Sequence, residues 1–476
     1  MTQYQHGVYL QEIGTELQTI IESESNLIVV IGTSPEPISV NKPEICYSLT
    51  EFTEKFGFSD DFEKFTLCEA AHCQFNLYNM SPLVCINVFD KIKHITEKTM
   101  NLTVSNSTSA INDENLIISS VKIYSGMTSP ESEDDEDFAA EPIQLTLGTD
   151  YTISDDGIIT IVRAESVVDR TLTVKYNASD VTKVSTSDIL AGIEKIEEVY
   201  PRFNLVPSIL IAPKYSQDSD VIAALKSKTR NLNGHFNSLA VVDIPTSRTD
   251  DYSEAPSIKS SMNISDANVI ACWGICKLNG RKYYLSTQLA SLMHYTDAQN
   301  GDNPSVSPSN QFLQMDSMCK LDGSEVFLTA PQATYLNSQG IVTALNFQGW
   351  KAWGNRTSVY PSNADPKDCL IPVRRVFTWI GNSLVTTFWS RLDSRLDRRF
   401  IDAVLNSAQM WFDGLTAQGV LLGGSVEFRE EDNRLNDLQD GIVKFHVMLT
   451  PPSPARVITF TSQYNPEALN TLFESE

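Results

Sequence analysis

Leu27-Ile28-Val29-Val30-Ile31-Gly32 is a run of five branched apolar residues closed by a glycine. A short continuous run of this kind predicts a strand buried on both faces, as in a parallel sheet. Working outward, residues 60–79 place Phe62, Phe65, Cys68, Ala71, Cys73 and Phe75 on a broad apolar face and predict a helix. Pro82 follows, and Leu83–Phe89 predicts a second buried strand, giving a βαβ-like opening. The same alternation resumes near residue 186. Ile189–Val199 and residues 217–233 predict helices, Ser208–Pro213 and Ser238–Val242 predict strands, and residues 267–277 predict a further strand. The expected fold class is therefore α/β (α+β) and multidomain, with a mixed-sheet core carrying helices on its faces.

Between residues 91 and 185 the character changes. Short β-forming runs (Leu116–Tyr124, Ile143–Leu147, Ile158–Val162, Leu172–Tyr176) are separated by turn residues such as Asp155-Asp156-Gly157. They predict an inserted all-β, sandwich-like domain. Within it, Glu131-Ser132-Glu133-Asp134-Asp135-Glu136-Asp137 is an acidic run best read as a solvated loop. In the last third, Val373–Leu396 and Phe400–Leu415 predict two helices. Ser425–Arg429 and Gly441–Leu449 predict strands, and Pro451, Pro452 and Pro454 punctuate the chain before a last strand near Arg456–Thr461. The expected division is an N-terminal arm (1–22), a discontinuous core (23–90 and 186–345), the β insert (91–185), a C-terminal domain (346–454) and a C-terminal arm (455–476).

The 476 residues, 41% of them apolar, suit two to four globular domains. A net charge of −24 argues against nucleic acid as a partner, and it makes copies of the chain repel one another. Any self-assembly must overcome that repulsion through specific contacts. The eight cysteines are irregularly spaced with no CxxC pair, as expected of reduced thiols made in a cytosol. No secretory signal opens the sequence and no run of 18 apolar residues occurs, so direct membrane insertion is not expected.

Catalytic signatures are weak. Gly32-Thr33-Ser34-Pro35 lacks the further glycines of a dinucleotide loop, and neither a GK[ST] phosphate loop nor a GxSxG elbow occurs. Cys68, His72 and Cys73 lie close in sequence but on an apolar helix face, and Cys272 and Cys276 flank Trp273; both groups read as core. No catalytic residue, cofactor or metal is assigned, and the chain is expected not to be an enzyme.

The two terminal strands are more informative. Each is short, apolar and tethered by a polar or Pro-rich linker, so its backbone groups must pair with a sheet edge in its own chain or in a neighbour. Gln5-His6-Gly7-Val8-Tyr9-Leu10-Gln11-Glu12-Ile13 resembles the HGV start of the contractile tail sheath proteins of P2-like phages and R-type pyocins. Gly349-Trp350-Lys351-Ala352-Trp353-Gly354-Asn355-Arg356-Thr357 resembles that family's GxxxWGNRT signature and is the most specific motif in the chain. Pro207–Pro213, Arg374-Arg375-Val376 and Gly441–Leu449 followed by Thr450-Pro451-Pro452 also resemble family segments, whereas residues 91–185 do not.

This resemblance implies a polymer-forming part: stacked hexameric rings around an inner tube, contracting to drive that tube through a cell envelope. It implies as partners the chain itself, an inner tail tube protein, and baseplate and terminator or collar proteins. Assembly would take place in a host bacterial cytoplasm, followed by release in a particle. The terminal arms would donate strands to neighbours, with Val8, Tyr9, Leu10, Gln11, Glu12 and Ile13 at one end and Arg456, Val457, Ile458, Thr459 and Phe460 at the other. Val426, Phe428, Val443, Phe445 and Val447 would belong to the receiving sheet. Residues 14–22 and 450–455 would serve as hinges, nine extended residues reaching up to about 30 Å. Arg391, Arg395, Arg398 and Arg399 follow the spacing of one helical stripe, with Asp393 and Asp397 on another side, and are candidates to face an acidic tube or neighbour; intrahelical pairing with Asp and capping of the helix C-terminus are the alternative.

Overall fold

The computed structural model describes residues 19–113, 115–125, 143–154, 156–163, 171–249 and 251–472. Its centre is an eight-stranded sheet built from β1 (Ile28–Gly32), β2 (Pro43–Cys46), β3 (Leu83–Asn87), β4 (Ile209–Ile211), β5 (Leu239–Ile244), β6 (Val269–Trp273), β7 (Ile341–Asn346) and β8 (Trp350–Trp353). The spatial order is β8-β7-β6-β5-β4-β1-β3-β2. The six inner strands are parallel, with Val29 beside Leu210 and Val30 beside Cys85; β2 and β8 close the edges antiparallel. All residues of β1, β3, β5 and β6 are buried, which is why their sequences run apolar without alternation. The mixed α/β class expected from sequence is the class observed.

Helices cover both faces of this sheet. The Leu285–Gln299 helix (α1) is buried along most of its length and carries polar groups inward. Those groups find partners: Gln74 meets His294 at 2.7 Å, and Tyr78 donates to Gln288 at 2.9 Å. Asp243 on β5 accepts from the Ser286 amide at 3.0 Å and from the Ser286 hydroxyl. Burial raises the Asp243 carboxyl from 3.8 to about 6, and the Ser286 and Ser216 hydrogen bonds only partly oppose that rise. The helix expected over 60–79 is shorter, Thr66–Ala71, and passes into a wide turn at His72–Leu77.

The inserted segment forms two small antiparallel sheets. One pairs Thr171–Ser179 with Ile95–Thr103 and Lys122–Ser125, and adds Ile143–Gln144; the other holds Thr108–Ala110, Tyr151–Ile153 and Ile158–Ile161. Ile123, Tyr151, Ile159, Leu172, Val174 and Tyr176 make a core separate from the main one. Two expected strands are shorter than their sequences suggested. Ile118–Ser120 is a tight helical turn ahead of the strand at Lys122, and only Ile143–Gln144 of the 143–147 run is strand, Leu147 forming an isolated bridge to Tyr151. The acidic run 131–137 lies outside the described residues. Lys93 and His94 bind Asp188 of the core at the root of the insert, His94 through Nε2 at 3.1 Å.

Beyond the sheet lie two helices, Ile371–Phe388 (α2) and Arg398–Ala417 (α3), and a two-stranded antiparallel sheet of β9 (Gly423–Glu427) and β10 (His446–Thr450). Val376, Trp379, Ile380, Ala408, Phe412 and Leu415 form their core. The boundary expected at residue 346 falls inside the β7–β8 hairpin, because β8 is an edge strand of the large sheet.

Candidate functional site

The strongest family-like motif is a joint. Gly354 has φ +143°, and a Cβ there would lie 2.9 Å from the Val342 Cα, so this position favours glycine. The Asn355 amide donates to Asn337 Oδ1 at 3.1 Å, and the Asn355 carbonyl accepts from Ile371 at 3.0 Å. Arg356 stacks 4.5 Å from the Tyr360 ring and approaches the Cys369 sulfur at 2.7 Å. Thr357, fully buried, pairs with the Asp368 and Cys369 carbonyls. Trp353 lies on β8. These five residues tie the edge of the large sheet to the first turn of α2.

A second joint runs along α2. Arg375, Trp379, Ser383 and Thr387 recur every four residues and so share one face of the helix. They grip an extended segment. Arg375 donates to the Ser25 carbonyl at 3.1 Å, and Trp379 Nε1 donates to the Ser23 carbonyl at 2.9 Å. Ser383 accepts from the Ser23 amide at 2.9 Å, and Thr387 from the Ile21 amide at 2.8 Å. Trp411 of α3 adds a bond to Glu22 at 2.9 Å. Arg375 also forms a two-toothed pair with Asp297 at 2.5 and 2.9 Å, where the two side chains are 4% and 0% exposed. Removing either partner would strand a buried charge. Residues 21 and 22 are thus fixed, so the hinge expected over 14–22 does not extend that far. Sequence reasoning missed this grip; its signal was the four-residue recurrence of hydrogen-bonding side chains within α2.

The small sheet is two-faced. Val426 and Val447 pair directly and, with Leu449, pack toward α2 and α3. Three residues expected in the receiving strands are not in them: Phe428 follows β9, while Val443 and Phe445 precede β10. The asparagine Asn433 explains the late start of β10, since its amide binds Lys444 N at 2.7 Å and Lys444 O at 2.9 Å, holding that backbone out of a ladder. Phe445 instead contacts Phe428 with ring centroids 6.0 Å apart. Val443 and Phe445 line an apolar cleft of about 300 Å³ with Phe388, Leu392, Phe400 and Val404.

The four arginines do not form a helical stripe. α2 ends at Phe388, Trp389–Arg391 is a tight turn, and Asp393 takes φ +59°. Asp397 then caps α3 by accepting from the Phe400 amide at 2.8 Å. Arg391 and Arg395 therefore sit on a connector, and Arg398 and Arg399 open the next helix. Arg398 pairs with Asp402 at 3.0 Å, which is part of the intrahelical alternative.

Residues 451–461, which lead into and begin the C-terminal arm, form no helix or strand and join no sheet. Val457, Ile458 and Phe460 are 72%, 73% and 92% exposed. The expected strand at Arg456–Thr461 does not form within this chain. Val8, Tyr9, Leu10, Gln11, Glu12 and Ile13 lie outside the described residues.

Among the described residues no group of three His, Cys, Asp or Glu is placed to hold a metal. All eight cysteines are buried, and burial pushes the Cys68 thiol up to about 12. His72 lies between Tyr283, Phe62 and Arg281.

A protein of Burkholderia phage BcepMu described as "Tail sheath protein" is 26% identical over 504 residues, which cover 98% of each chain. The chain is similar to tail sheath proteins over nearly its whole length. A "Putative prophage major tail sheath protein" of Pseudomonas aeruginosa is 24% identical over 298 residues, 60% of this chain and 73% of that one. No protein-family model matches the chain. Among solved structures, the contracted PVC sheath of an extracellular contractile injection system aligns with TM-score 0.59 and 12% identity, covering 98% of this chain and 99% of that one. The contracted helical sheath of the anti-feeding prophage gives TM-score 0.59 and 15% identity over 96% and 99%. These two likenesses establish a shared fold.

Proposed function

We propose that the chain is the structural subunit of a contractile tail sheath, a mechanical polymer and not an enzyme. It assembles with copies of itself into stacked hexameric rings around an inner tube, between a baseplate and a terminator or collar. The rings contract to drive the tube through a target envelope. The observation that carries this reading is the pairing of an unmet donor with an unmet acceptor. The C-terminal arm exposes Val457, Ile458 and Phe460, while the two-stranded sheet of β9 and β10 has no third strand among the described residues. A lone unpaired segment and a short open sheet each leave backbone groups that a strand of another chain can take over from water.

In this scheme Arg456–Thr461 of one copy adds to the small sheet of the next, and Val8–Ile13 makes the corresponding donation from the other end. The cleft beside Phe445 and Val404 receives apolar side chains of the added strand. Fixed roots let the arms act as tethers that persist while subunits reorient. The connector carrying Arg391 and Arg395, with Arg398 and Arg399 at the start of α3, faces an acidic tube or neighbour, and the β insert faces outward.

Electron microscopy tests this on the full chain and on a version ending at Ala455. The full chain forms rings or helical tubes and the shortened one does not. A full chain that stays monomeric at all concentrations, beside purified tube, would sink the proposal.

A further inference from the structure

The two edges of the small sheet are not equivalent. On β9, the Gly424 carbonyl and the Val426 amide form the pair that an added strand would bind, an acceptor and a donor two residues apart on one edge. Both are already occupied. Gln409 Nε2 donates to the Gly424 carbonyl at 3.0 Å, and the Val426 amide donates to Gln409 Oε1 at 3.3 Å. A side-chain amide has the same donor and acceptor groups as a peptide unit, so Gln409 stands where the backbone of a neighbouring strand would stand. Its remaining N–H is also used, donating to Asp413 Oδ1 at 2.8 Å one turn along α3. The amide is therefore fully bonded and held in one orientation. Among the described residues no such cap lies on β10, and its outer edge meets no further strand.

We infer that Gln409 is a removable cap that closes the β9 edge in the unassembled chain, so that strand donation from a second copy begins at β10. A strand added at β9 must first displace the amide and swing it toward Asp413. This inference rests on the strand-donation reading and adds an order to it. The cap also restricts edge pairing before partners arrive to the β10 side of the two-stranded sheet. Natural sheets commonly protect such edges, and here a single glutamine does so reversibly.

Two substitutions test the gate, Gln409→Ala and the milder Asp413→Ala, which frees the amide without removing it. Hydrogen exchange on dilute full-length chain reads the cap: the Val426 amide exchanges about tenfold faster in Q409A, while β10 amides are unchanged. Light scattering as concentration is raised reads the gate: the lag before polymer growth shortens several-fold in Q409A and less in D413A. Unchanged Val426 exchange would overturn the cap, and an unchanged or longer lag would overturn the gate. The chain ending at Ala455 separates the two levels. If it assembles as the full chain does, strand donation itself falls; if it fails to assemble while Q409A keeps the normal lag, only the gate falls.

Discussion

Replacing Ile458 and Phe460 together by Asp probes the C-terminal arm where it should matter. In a strand, alternate residues share a face, so Ile458 and Phe460 point one way, and Val457, Thr459 and Thr461 the other. The small sheet buries one face only, through Val426, Val447 and Leu449. An added strand should turn its more apolar side, Ile458 and Phe460, toward that core. In the single chain these side chains are 73% and 92% exposed, so almost all of their burial would be gained on assembly. Full burial of such a side chain contributes about 1.5–3 kcal/mol, so the pair is worth about 3–6 kcal/mol per junction. Even the lower figure is about two orders of magnitude in the association constant. Stability of the isolated chain should barely move, because exposed substitutions without partners usually fall within about 0.5 kcal/mol. The assay is sedimentation of polymer against concentration, alongside thermal melting of dilute chain. V457D with T459D serves as the control, since it leaves the apolar face intact. Normal polymer formation by I458D/F460D would refute the donated strand. Loss of assembly in the control alone would refute its facing.

Two further predictions concern charge. Reversing Arg395 and Arg399 to Glu leaves the fold intact, since both lie exposed on the connector and start of α3, but should abolish assembly on a purified tube; normal extended particles would remove the tube-facing role. Asp243 makes stability depend on pH in an unusual direction. Its folded-state value of about 6 lies above its ordinary 3.8, so its contribution is full below 3.8 and is lost as pH rises through about 6. Asp243→Asn should therefore gain on the parent by about 2 kcal/mol between pH 4 and pH 8, read from urea unfolding at both values. An equal difference at the two pH values would show that the carboxyl ionises normally.

The large sheet was legible because β1, β3 and β5 each open with an unbroken apolar run, and such runs have few other homes. The ends of elements were less so. The helix expected to run to Leu396 stops at Phe388, because the left-handed turn at Asp393 and the cap at Asp397 start a new helix. Periodicity carried through that break and assembled four arginines into a stripe that does not exist. Phe445 has the alternation of a strand residue but lies outside one, since Asn433 takes the backbone next to it. The Gln409 cap was invisible for a different reason. It joins residues 15 and 17 apart through a side chain, and no local pattern marks such a bond.

The insert enters and leaves the core almost at one point, for the Asp180 amide donates to the His94 carbonyl at 2.8 Å. A module whose two ends touch is a cassette. It can be excised and closed with a short turn, or exchanged for an unrelated domain with neighbouring termini, without disturbing the strand order beneath. Such a position is also a natural attachment point for foreign peptides or enzymes, repeated once per subunit wherever the chain polymerises.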